Sequence, residues 1–344
     1  MTGRTCVDVV VIGGGQSGLA VGRRLRETGR SFVILDAHDE VGGAWRARWT
    51  SLRLFTEARF TELPGMPFPG DPKAYPSKDD MADYLVRYAE RFELPVRLGT
   101  TADQVKRNDG GYLVATNRGE FEARDIVVAT GGTPRTPEFA SDLDPGIRQL
   151  HSSRYRDPSQ LADGPVLLVG AGNSGSEIAL DMTGRTTYLS GRDVGRSPLI
   201  NGPFFWWLVH RRFTVDTVAG RRIRKKLLSG ATPLVRVRPK QLEAAGVRRV
   251  GRTTGVTDGR PVVDGEPLDV ANVLWCTGFH LDFSWIDVPV FDSAGWPVHY
   301  RGTVADAPGL YFMGLPFQYT ITSGVVGGVG RDAEHIVEHL MARN

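Results

Sequence analysis

Two glycine-rich segments have the residue types and the spacing that bind a dinucleotide. Residues 13–18 (GGGQSG) follow the β-branched run 7–12, and residues 170–175 (GAGNSG) follow the apolar run 165–169. In such a loop the first glycine makes a tight turn, the second lets the backbone approach a pyrophosphate, and the third lets a helix pack against the strand. The pyrophosphate lies at the N-terminus of that helix, where free N–H groups and the helix dipole favour negative charge. The repetition predicts two dinucleotide sites in one chain.

The side chains that follow the two loops differ, and they predict different nucleotides. Asp36 ends the strand expected after the first loop, where a carboxylate accepts hydrogen bonds from the ribose hydroxyls of FAD or NAD. The strand expected over residues 186–189 is followed by Ser190 and Arg192, which favour the 2′-phosphate of NADPH. Asp193 comes next and keeps NADH open as the alternative.

Two further strand-like runs end in similar turns. Residues 125–128 and 272–275 are each followed by a small residue, a threonine and a glycine. A plain strand-to-loop turn explains either one alone, but their repetition in register with the glycine loops places both beside the nucleotides. The turns add four candidate cofactor-binding residues: Thr130, Gly131, Thr277 and Gly278.

The segment between these features contains a predicted loop and a predicted helix. Residues 63–72 hold four prolines and two glycines, a composition typical of a loop. Residues 77–80 (SKDD) resemble a capping box that opens a helix. One face of that helix is expected to carry Met81, Leu85, Tyr88 and Phe92.

Composition excludes several classes of protein. The 344 residues, 41% hydrophobic and 24% charged, are typical of a soluble globular chain with two or three domains and not of a disordered one. Two cysteines, Cys6 and Cys276, cannot form a disulfide framework, a thiolate metal cluster or a Cys-x-x-Cys redox pair. We expect no metal, since HExxH and Cys/His ligand spacings are also absent. The run 7–12 is not a signal peptide, and the run 204–209 is far shorter than the roughly 18 residues of a membrane span, so a cytoplasmic location is expected.

A basic block lies in the second half of the chain. Residues 211–252 contain 13 Lys or Arg against two acids, Asp216 and Glu243, although the whole chain carries only +3. Such a block suits the steering of an anionic nucleotide, contact with a membrane surface together with residues 204–209, or a solvated lobe of the second domain. No nucleic-acid partner is expected, because no nucleic-acid-binding motif accompanies the charge.

Two nucleotide sites in one chain predict that a hydride passes from a nicotinamide to a flavin. The sequence has no nucleophile elbow and no metal-ligand spacing, which is typical of a flavoenzyme whose cofactor supplies the reactive atoms. The missing Cys-x-x-Cys pair argues against a disulfide reductase. The electrons are therefore expected to reach oxygen or an outside acceptor.

A series of motifs extends over nearly the whole chain. It comprises residues 13–18, 42–45 (GGAW), 52–55 (LRLF), 63–69 (LPGMPFP), 75–78 (YPSK), 151–155 (HSSRY), 170–175 and 275–279 (WCTGF). Through these motifs the chain resembles the class B flavin monooxygenases, which comprise the flavin-containing monooxygenases and their Baeyer–Villiger relatives. The small bacterial members are the most similar. The glycine loops are shared by many flavoproteins, whereas the order of the other motifs is more specific.

The resemblance implies an α/β fold with two Rossmann-like dinucleotide-binding domains, arranged as in glutathione and thioredoxin reductases. An NAD(P)H-binding domain, residues 148–278, would be inserted into an FAD-binding domain made of residues 1–147 and 279–344. It also implies that NADPH reduces FAD and that oxygen adds to flavin C4a. The resulting (hydro)peroxide would transfer one oxygen atom to small sulfides, amines or ketones. The implied partners are a small-molecule substrate and O₂, and a homodimer is one option for assembly.

The resemblance also assigns site residues. Gly13, Gly15, Ser17, Gly18 and Asp36 would hold the FAD pyrophosphate and ribose, and Trp45 and Phe55 would lie near the isoalloxazine. Gly170, Gly172, Asn173, Ser174 and Gly175 would hold NADPH, with Ser190 and Arg192 at its phosphate. Phe55, His151 and Tyr155 are the candidate catalytic residues. The remaining cofactor-binding candidates are Gln16, Ala37, Gly43, Ala44, Ala102, Leu315 and Gln318.

Three positions depart from the family pattern. Phe55 stands where eukaryotic members carry an asparagine, and a phenyl ring cannot hydrogen-bond a peroxide. His151 and Tyr155 match the family fingerprint, but Gly146 is one position too far from His151. Leu315 replaces the acid that binds ribitol in many two-nucleotide flavoproteins, so backbone N–H groups of residues 318–323 are expected to serve instead.

These departures leave open what several residues do and what the protein does. His151 is either structural or links the domains and positions the nicotinamide. Two other functions stay open beside the monooxygenase. One is an NAD(P)H oxidase or diaphorase-like reductase that produces H₂O₂, and the other is a nucleotide-binding sensor without turnover.

Overall fold

A computed structural model describes residues 4–228 and 233–343. A strand, a helix and a strand follow one another at each glycine loop, as the paired loops predict. The strands are β1 (Arg4–Ile12), β2 (Phe32–Leu35), β3 (Val96–Arg97), β4 (Ala102–Asn108), β5 (Gly111–Thr116), β6 (Gly119–Val128), β7 (Thr133–Pro134), β8 (Arg148–His151), β9 (Val166–Val169), β10 (Thr187–Ser190), β11 (Arg248–Val250), β12 (Thr253–Thr257), β13 (Arg260–Val263), β14 (Glu266–Pro267), β15 (Asn272–Trp275), β16 (Phe279–His280), β17 (Ile286–Asp287) and β18 (Leu310–Phe312).

The helices lie between and after these strands. The α-helices are α1 (Gln16–Leu25), α2 (Gly43–Arg46), α3 (Lys78–Arg91), α4 (Asn173–Leu180), α5 (Pro203–Arg212), α6 (Val218–Leu228), α7 (Pro239–Ala244) and α8 (Val329–Ala342). Short 3₁₀ turns occur at Ala58–Phe60, Glu138–Asp142, Pro158–Gln160, Pro198–Asn201, Ile321–Gly324 and Val326–Gly328.

The first sheet has eight strands in the order β17-β4-β5-β6-β1-β2-β3, with β18 paired to β6. β1 lies in parallel between β2 and β6, so Val10 faces Val33 on one side and Ile126 on the other. Strands covered on both faces read as continuous apolar runs, and Val9, Val10 and Val11 are fully buried. The first glycine loop leaves the carboxyl end of this central strand.

The second sheet has five strands, all parallel, in the order β11-β10-β9-β15-β8. β9 lies at its centre, with Leu167 and Leu168 fully buried. The second glycine loop leaves the carboxyl end of β9, so both loops occupy equivalent places in their sheets. A small antiparallel sheet, β12-β13-β14, lies beside this one in sequence.

The chain passes from the first sheet to the second and back again through two neighbouring segments. These segments pair as the antiparallel ribbon β7–β16, with Thr133 opposite His280 and Pro134 opposite Phe279. Every strand of the second sheet therefore lies between two parts of the first sheet in sequence. The predicted α/β fold class is confirmed. The domain boundaries after residues 147 and 278 remain predictions, and no described strand crosses either one.

Helix α3 confirms the local prediction for its N-terminus. Ser77 Oγ accepts a hydrogen bond from the Asp80 N–H at 3.1 Å, and the Asp80 carboxylate accepts one from the Ser77 N–H at 2.9 Å. Met81, Leu85 and Tyr88 are fully buried on the inner face. The capping box and the apolar stripe thus fix both the start of the helix and its orientation.

Candidate functional site

A cleft of about 510 Å³ lies at the carboxyl edge of the first sheet. It is bounded by the first glycine loop, the end of β2 and the turn after β6, and it reaches the ribbon β7–β16. Twelve of the residues predicted to bind a cofactor line it: Gly13, Gly15, Gln16, Ser17, Asp36, Ala37, Gly43, Ala44, Trp45, Ala102, Thr130 and Gly131.

Packing of the protein itself requires two of the three glycines in the first loop. Gly13 has φ +111°, and a Cβ there would lie 2.4 Å from the carbonyl oxygen of Ala129. A Cβ on Gly18 would lie 1.8 Å from the carbonyl oxygen of Gly13, so a side chain would separate helix and strand. Gly15 is different, because a Cβ there would meet no protein atom within 4 Å.

The second loop repeats this pattern. A Cβ on Gly170 (φ +116°) would lie 2.2 Å from the carbonyl oxygen of Cys276, and one on Gly175 would lie 1.9 Å from that of Gly170. Gly172 again faces open space within 4 Å. The agreement shows that the two loops have the same backbone geometry.

The middle glycines are therefore not explained by the protein's own packing. Gly15 has φ −74° and Gly172 has φ −77°, which any residue adopts without strain. Each one precedes the first turn of a helix, α1 or α4, where backbone N–H groups have no intrahelical partner. A side chain at either position would fill space against those N–H groups, and a phosphate needs that space. Both loops thus fit a dinucleotide pyrophosphate.

Asp36 lies at the tip of β2, as predicted, and its carboxylate is 8% exposed. Oδ1 accepts hydrogen bonds from the backbone N–H of His38 at 2.8 Å and contacts His38 Nδ1 at 2.9 Å. This contact raises the pKa of His38 above its usual value. Oδ2 faces the glycine loop, where a Cβ on Gly14 would lie 2.5 Å from it. The carboxylate is thus held in place between the loop and the cleft.

Ser190 and Arg192 have different surroundings at the end of β10. The Ser190 hydroxyl is buried, donates to the carbonyl oxygen of Gly251 at 2.8 Å and accepts from the Thr253 N–H at 2.9 Å. Its hydrogen-bonding capacity is therefore used within the protein. Arg192 is exposed beside the second loop. Of the pair, Arg192 is the side chain that solvent or a ligand reaches.

Asn173 holds the second loop in place from within the protein. Its side chain donates to the carbonyl oxygen of Pro233 at 3.1 Å and accepts from the Val235 N–H at 3.0 Å. Ser174 is half-buried at the start of α4. Thr277 acts elsewhere, because its hydroxyl donates to the carbonyl oxygen of Arg135 and so ties the segment after β15 to the segment after β7.

His151 joins the two segments that meet at the ribbon. Its Nε2 lies 3.1 Å from the carbonyl oxygen of Gly278, and its Nδ1 accepts from the Ser153 N–H at 3.1 Å. Because Nδ1 is an acceptor, the proton of the neutral ring lies on Nε2 and is donated to Gly278. Burial lowers the pKa of His151, which favours this neutral form. Both ring nitrogens therefore have partners within the protein.

The other two candidate catalytic residues, like His151, are not among the residues that line the cleft. Tyr155 is fully buried, and its hydroxyl has no hydrogen-bond partner among the described residues. Burial raises its pKa far above the usual value, so it stays protonated. Phe55 is half-buried, and its carbonyl oxygen accepts from the Asn201 side chain at 3.0 Å. That hydrogen bond ties residue 55 to the 3₁₀ turn Pro198–Asn201.

Leu315 and Gln318 also lie behind the cleft. Leu315 is buried, and its N–H donates to Gln318 Oε1 at 3.2 Å. Gln318 Nε2 donates to the carbonyl oxygen of Arg301 at 3.1 Å. The neighbouring residues Met313 and Gly314 line the cleft instead. Residues 313–318 therefore contribute the turn at Met313 and Gly314 to the cleft wall, and they contribute no acidic side chain.

Arg48 is a feature of the cleft that sequence reasoning missed. Its guanidinium lies 4.9 Å from the centre of the Phe279 ring and lines the cleft. Burial lowers its pKa, and the nearby charge of Arg156 adds to this effect. No carboxylate of the described residues lies within ion-pair distance of it. Arg48 is thus a poorly hydrated cation that faces a site suited to anionic nucleotides, and no local sequence signal marks it.

The cysteines do not form a redox pair. Cys6 is exposed at the start of β1 and Cys276 is buried at the end of β15, and both are free thiols. Burial raises the pKa of Cys276 to about 12, so it is not a nucleophile at neutral pH.

Within the described ranges no cluster of three or more His, Cys, Asp or Glu side chains is suited to a metal ion. Nor does any helix there have both the length and the apolar character that crossing a bilayer requires.

Comparison with known proteins identifies the family. Residues 10–193, which span the first glycine loop, the second loop and β10, match the model of the pyridine nucleotide-disulphide oxidoreductases. The chain belongs to this family. The oxidoreductase fold thus accounts for both nucleotide loops, although this member lacks a cysteine pair.

Relatives of this oxidoreductase include a protein of Geobacillus kaustophilus described as an uncharacterized oxidoreductase, CzcO-like. It is 41% identical, and the match covers 97% of this chain and 98% of that protein. A flavin-containing monooxygenase from Stenotrophomonas maltophilia is similar in structure, with a TM-score of 0.77 and 29% identity over 98% of this chain and 99% of that one. Indole-3-pyruvate monooxygenase YUCCA1 of Oryza sativa is 37% identical over 50% of this chain and 44% of its own length.

These findings confirm the predicted relationship to the flavin monooxygenases. The oxidoreductase is an enzyme that uses a flavin and a pyridine nucleotide, as the two loops predict. The likeness also supports flavin-dependent monooxygenase activity in the broad sense. It does not name a substrate.

Proposed function

We propose that this enzyme is an NADPH-dependent flavin monooxygenase that transfers one oxygen atom from O₂ to small sulfides, amines or ketones. The observation that carries the proposal is the pair of middle glycines, Gly15 and Gly172, which face open space at equivalent loops of two sheets. The first glycine loop would hold FAD, which would supply the redox chemistry: hydride acceptance from NADPH and then reaction with O₂. The free cysteines Cys6 and Cys276 give no dithiol to which the electrons would pass instead.

Within this proposal the first loop binds the FAD pyrophosphate through the N-terminus of α1. Asp36 accepts hydrogen bonds from the adenosine ribose, since its carboxylate is already oriented by His38. Trp45 lies on the cleft wall 3.4 Å from Gln16, indole Nε1 to Oε1, and closes the site toward the flavin. Phe55 is proposed to lie beyond it, near the isoalloxazine.

The second loop binds NADPH through the N-terminus of α4, with Arg192 at the 2′-phosphate. Ser190 supports this site indirectly, because its hydroxyl ties β10 to Gly251 and Thr253. His151 is proposed as a positioning residue and not as a general base. Its Nδ1 accepts from the Ser153 N–H and its Nε2 proton is donated to Gly278, so no lone pair is free to take a proton.

The printed name of one relative extends the substrates to be tested. Since half of this chain is similar to an indole-3-pyruvate monooxygenase, indole-3-pyruvate belongs in the same screen as simple sulfides, amines and ketones. The cation of Arg48 in the cleft is compatible with a carboxylate-bearing substrate.

The test is a stoichiometry measurement on the FAD-loaded enzyme. NADPH oxidation, O₂ consumption, H₂O₂ release and oxygenated product are followed together for each substrate. A monooxygenase gives one oxygenated product for each NADPH, and H₂O₂ falls when the correct substrate is added. H₂O₂ equal to NADPH with every substrate would identify an oxidase, and retained FAD that neither nicotinamide reduces would identify a sensor.

A matched pair of variants separates the two sites in the same assay. Gly172→Ala is expected to retain FAD but lose NADPH oxidation, because only the second loop gains a methyl group. Gly246→Ala serves as a control in the same half of the chain, since a Cβ there meets no protein atom within 4 Å. Its φ of +73° predicts a small loss of stability without loss of turnover.

A further inference from the structure

Helices α5 and α6, with the turn 213–217 between them, form a surface that neither glycine loop explains. We call residues 203–228 the aromatic-basic hairpin. Four of the eight large apolar side chains that are exposed within the described ranges lie in it. They are Phe204 (70% exposed), Trp207 (48%), Val218 (58%) and Leu228 (41%).

The outer face of α5 is aromatic. Phe204 and Trp207 stack with ring centres 5.7 Å apart, and the Arg211 guanidinium lies 5.2 Å from the centre of the Trp207 ring. The inner face is already packed, since Trp206 stacks on Phe60 at 5.4 Å and Val209 is buried. The exposed pair is therefore not a displaced part of the core. Aromatic side chains with a cation beside them are typical of the interface between lipid headgroups and acyl chains.

The exposed arc of α6 is basic. Arg221, Arg222 and Lys225 are exposed, and Arg221 and Lys225 lie four residues apart on one side of the helix. The hairpin contains seven Lys or Arg and a single acid, Asp216, so it carries +6 while the whole chain carries +3. Asp216 is engaged elsewhere, as its Oδ1 accepts from the Tyr300 hydroxyl at 2.9 Å. Arg221 donates to backbone carbonyl oxygens, those of Val215 and Asp216, and no carboxylate of residues 4–228 or 233–343 pairs with it.

The turn between the helices is firmly fixed. The Val215 N–H donates to the carbonyl oxygen of Tyr319 at 2.9 Å, and Thr214 pairs with Thr320 as an isolated bridge. Gly220 packs so closely that a Cβ there would lie 1.9 Å from the carbonyl oxygen of Thr214. Both helices are thus presented from a rigid base, and their exposed faces do not depend on a flexible arm.

We propose that the aromatic-basic hairpin is a peripheral binding site for an anionic lipid surface. The net charge of +6 selects a polyanionic partner, and the stacked Phe204–Trp207 pair requires an apolar layer beneath that charge. A second copy of this chain fits less well, because two surfaces of +6 would face each other. The inference goes beyond the proposed function and does not depend on it. It places the enzyme at a membrane, where apolar substrates concentrate.

Vesicle sedimentation of the FAD-loaded full chain tests the proposal. Vesicles of phosphatidylcholine alone are compared with vesicles of equal parts phosphatidylcholine and phosphatidylglycerol. Binding is expected to the anionic vesicles only and to disappear near 1 M salt, where the screening length falls to about 3 Å. Insertion of Trp207 is expected to shift tryptophan emission to shorter wavelength. Absence of binding to anionic vesicles at low salt would overturn the proposal.

Matched variants locate the site. Arg221→Gln with Arg222→Gln is expected to weaken anionic-vesicle binding at least about tenfold, since each cation near such a surface contributes. Lys106→Gln with Arg107→Gln removes the same charge from exposed positions on β4 and is expected to leave binding unchanged. Phe204→Ser with Trp207→Ser is expected to abolish the emission shift.

FAD content and NADPH oxidation in solution serve as the folding check for every variant. Equal losses of vesicle binding in the two charge variants would show a nonspecific charge effect and overturn the assignment. So would a concentration-dependent dimer that is lost in the Phe204→Ser, Trp207→Ser variant, because the face would then be a contact between copies. Vesicle binding is measured without turnover, so its failure leaves the monooxygenase proposal standing.

Discussion

His151 Nε2 donates a hydrogen bond to the carbonyl oxygen of Gly278 over 3.1 Å, and this contact links the end of β8 to the segment that returns to the first sheet. His151→Ala is expected to lower kcat/KM for NADPH by roughly 2- to 12-fold, the effect of one lost neutral hydrogen bond of about 0.5–1.5 kcal/mol. His151→Gln restores a donor and is expected to recover part of the loss. Steady-state kinetics from pH 6 to 9 check the role, and an acid limb that vanishes in the alanine variant would indicate a general base instead.

Gly15 and Gly13 allow a clean separation of ligand binding from folding. Gly15→Ala is expected to fold with an unchanged Tm in the absence of nucleotide and to lose FAD during gel filtration, because the new methyl group meets only the ligand. Gly13→Ala is expected to lower the Tm strongly or prevent folding, since its Cβ would lie 2.4 Å from a backbone oxygen at φ +111°. Flavin absorbance and thermal melts measure both effects. Full flavin retention in Gly15→Ala would place the pyrophosphate elsewhere.

Arg192 is expected to discriminate between the nicotinamide cofactors. Arg192→Ala should raise the KM for NADPH roughly 10- to 150-fold and leave the KM for NADH nearly unchanged, because a charge-assisted contact to a phosphate is worth about 1.5–3 kcal/mol. Arg260→Ala removes the same charge from an exposed hairpin in the same half and is the control. Equal effects of Arg192→Ala on both cofactors would remove the 2′-phosphate assignment.

Arg48 and Arg46 are two residues apart and are expected to respond oppositely to replacement. Arg48 has no carboxylate partner within ion-pair distance in the part of the chain that the structure describes, whereas Arg46 pairs with Glu40 at 3.1 Å and Asp83 at 2.6 Å. Arg48→Met is expected to raise the Tm without nucleotide and to weaken FAD or NADPH binding about tenfold, since it removes an unpaired, poorly hydrated cation. Arg46→Met is expected to lower the Tm slightly and to leave both affinities unchanged. Calorimetry and flavin titration distinguish the two, and an unchanged nucleotide affinity in Arg48→Met would exclude it from the site.

Glu177 predicts a pH-dependent stability. It lies on α4 with Arg236 at 3.5 Å, and burial raises its pKa to about 7. Between pH 4.5, the pKa of Glu177 in the unfolded chain, and pH 7, the folded protein holds a proton on Glu177 that the unfolded chain has released. The contribution of the protonated carboxyl to the free energy of unfolding is therefore complete below pH 4.5 and is lost as the pH rises from 4.5 to 7. Glu177→Gln is therefore expected to match the wild type at pH 4 and to have a higher Tm at pH 8. Thermal melts across this range are the measurement, with exposed Glu338→Gln as the control, and a Tm gap that does not change with pH would contradict the prediction.

The sequence predicts the parts of this structure that depend on local chemistry. The glycine loops, the acid at Asp36 and the capping box at Ser77 are each specified by residues within one supersecondary unit. The structure reproduces them, with strand ends that shift by one residue, as in β10. Even the separate duties of Gly13, Gly15 and Gly18 follow from spacing alone.

The sequence does not predict contacts between distant segments. The Ser190 hydroxyl is bound by residues 61 and 63 positions away, so its engagement within the protein has no local signature. Arg48 has no ion-pair partner among the described residues because the fold brings no carboxylate close to it, and local sequence does not determine that. From the sequence, residues 204–209 stand out only as an apolar run and residues 211–252 as a basic block, and no helix is predicted in either. A local signal for the start of α5 is present, because Pro203 is at the first helical position after Gly202. Tertiary packing decides all three.

The ribbon β7–β16 has a consequence for how the chain is built. Pro134 and Phe279 lie opposite each other in the ribbon. If residues 135–278 were removed, the two chain ends at Pro134 and Phe279 would therefore be adjacent. A short turn joining these ends would keep every strand of the eight-stranded sheet, because none of them falls within residues 135–278. Residues 135–278 are thus a cassette. This segment is excisable and open to exchange, whereas the part that carries the eight-stranded sheet keeps a continuous scaffold.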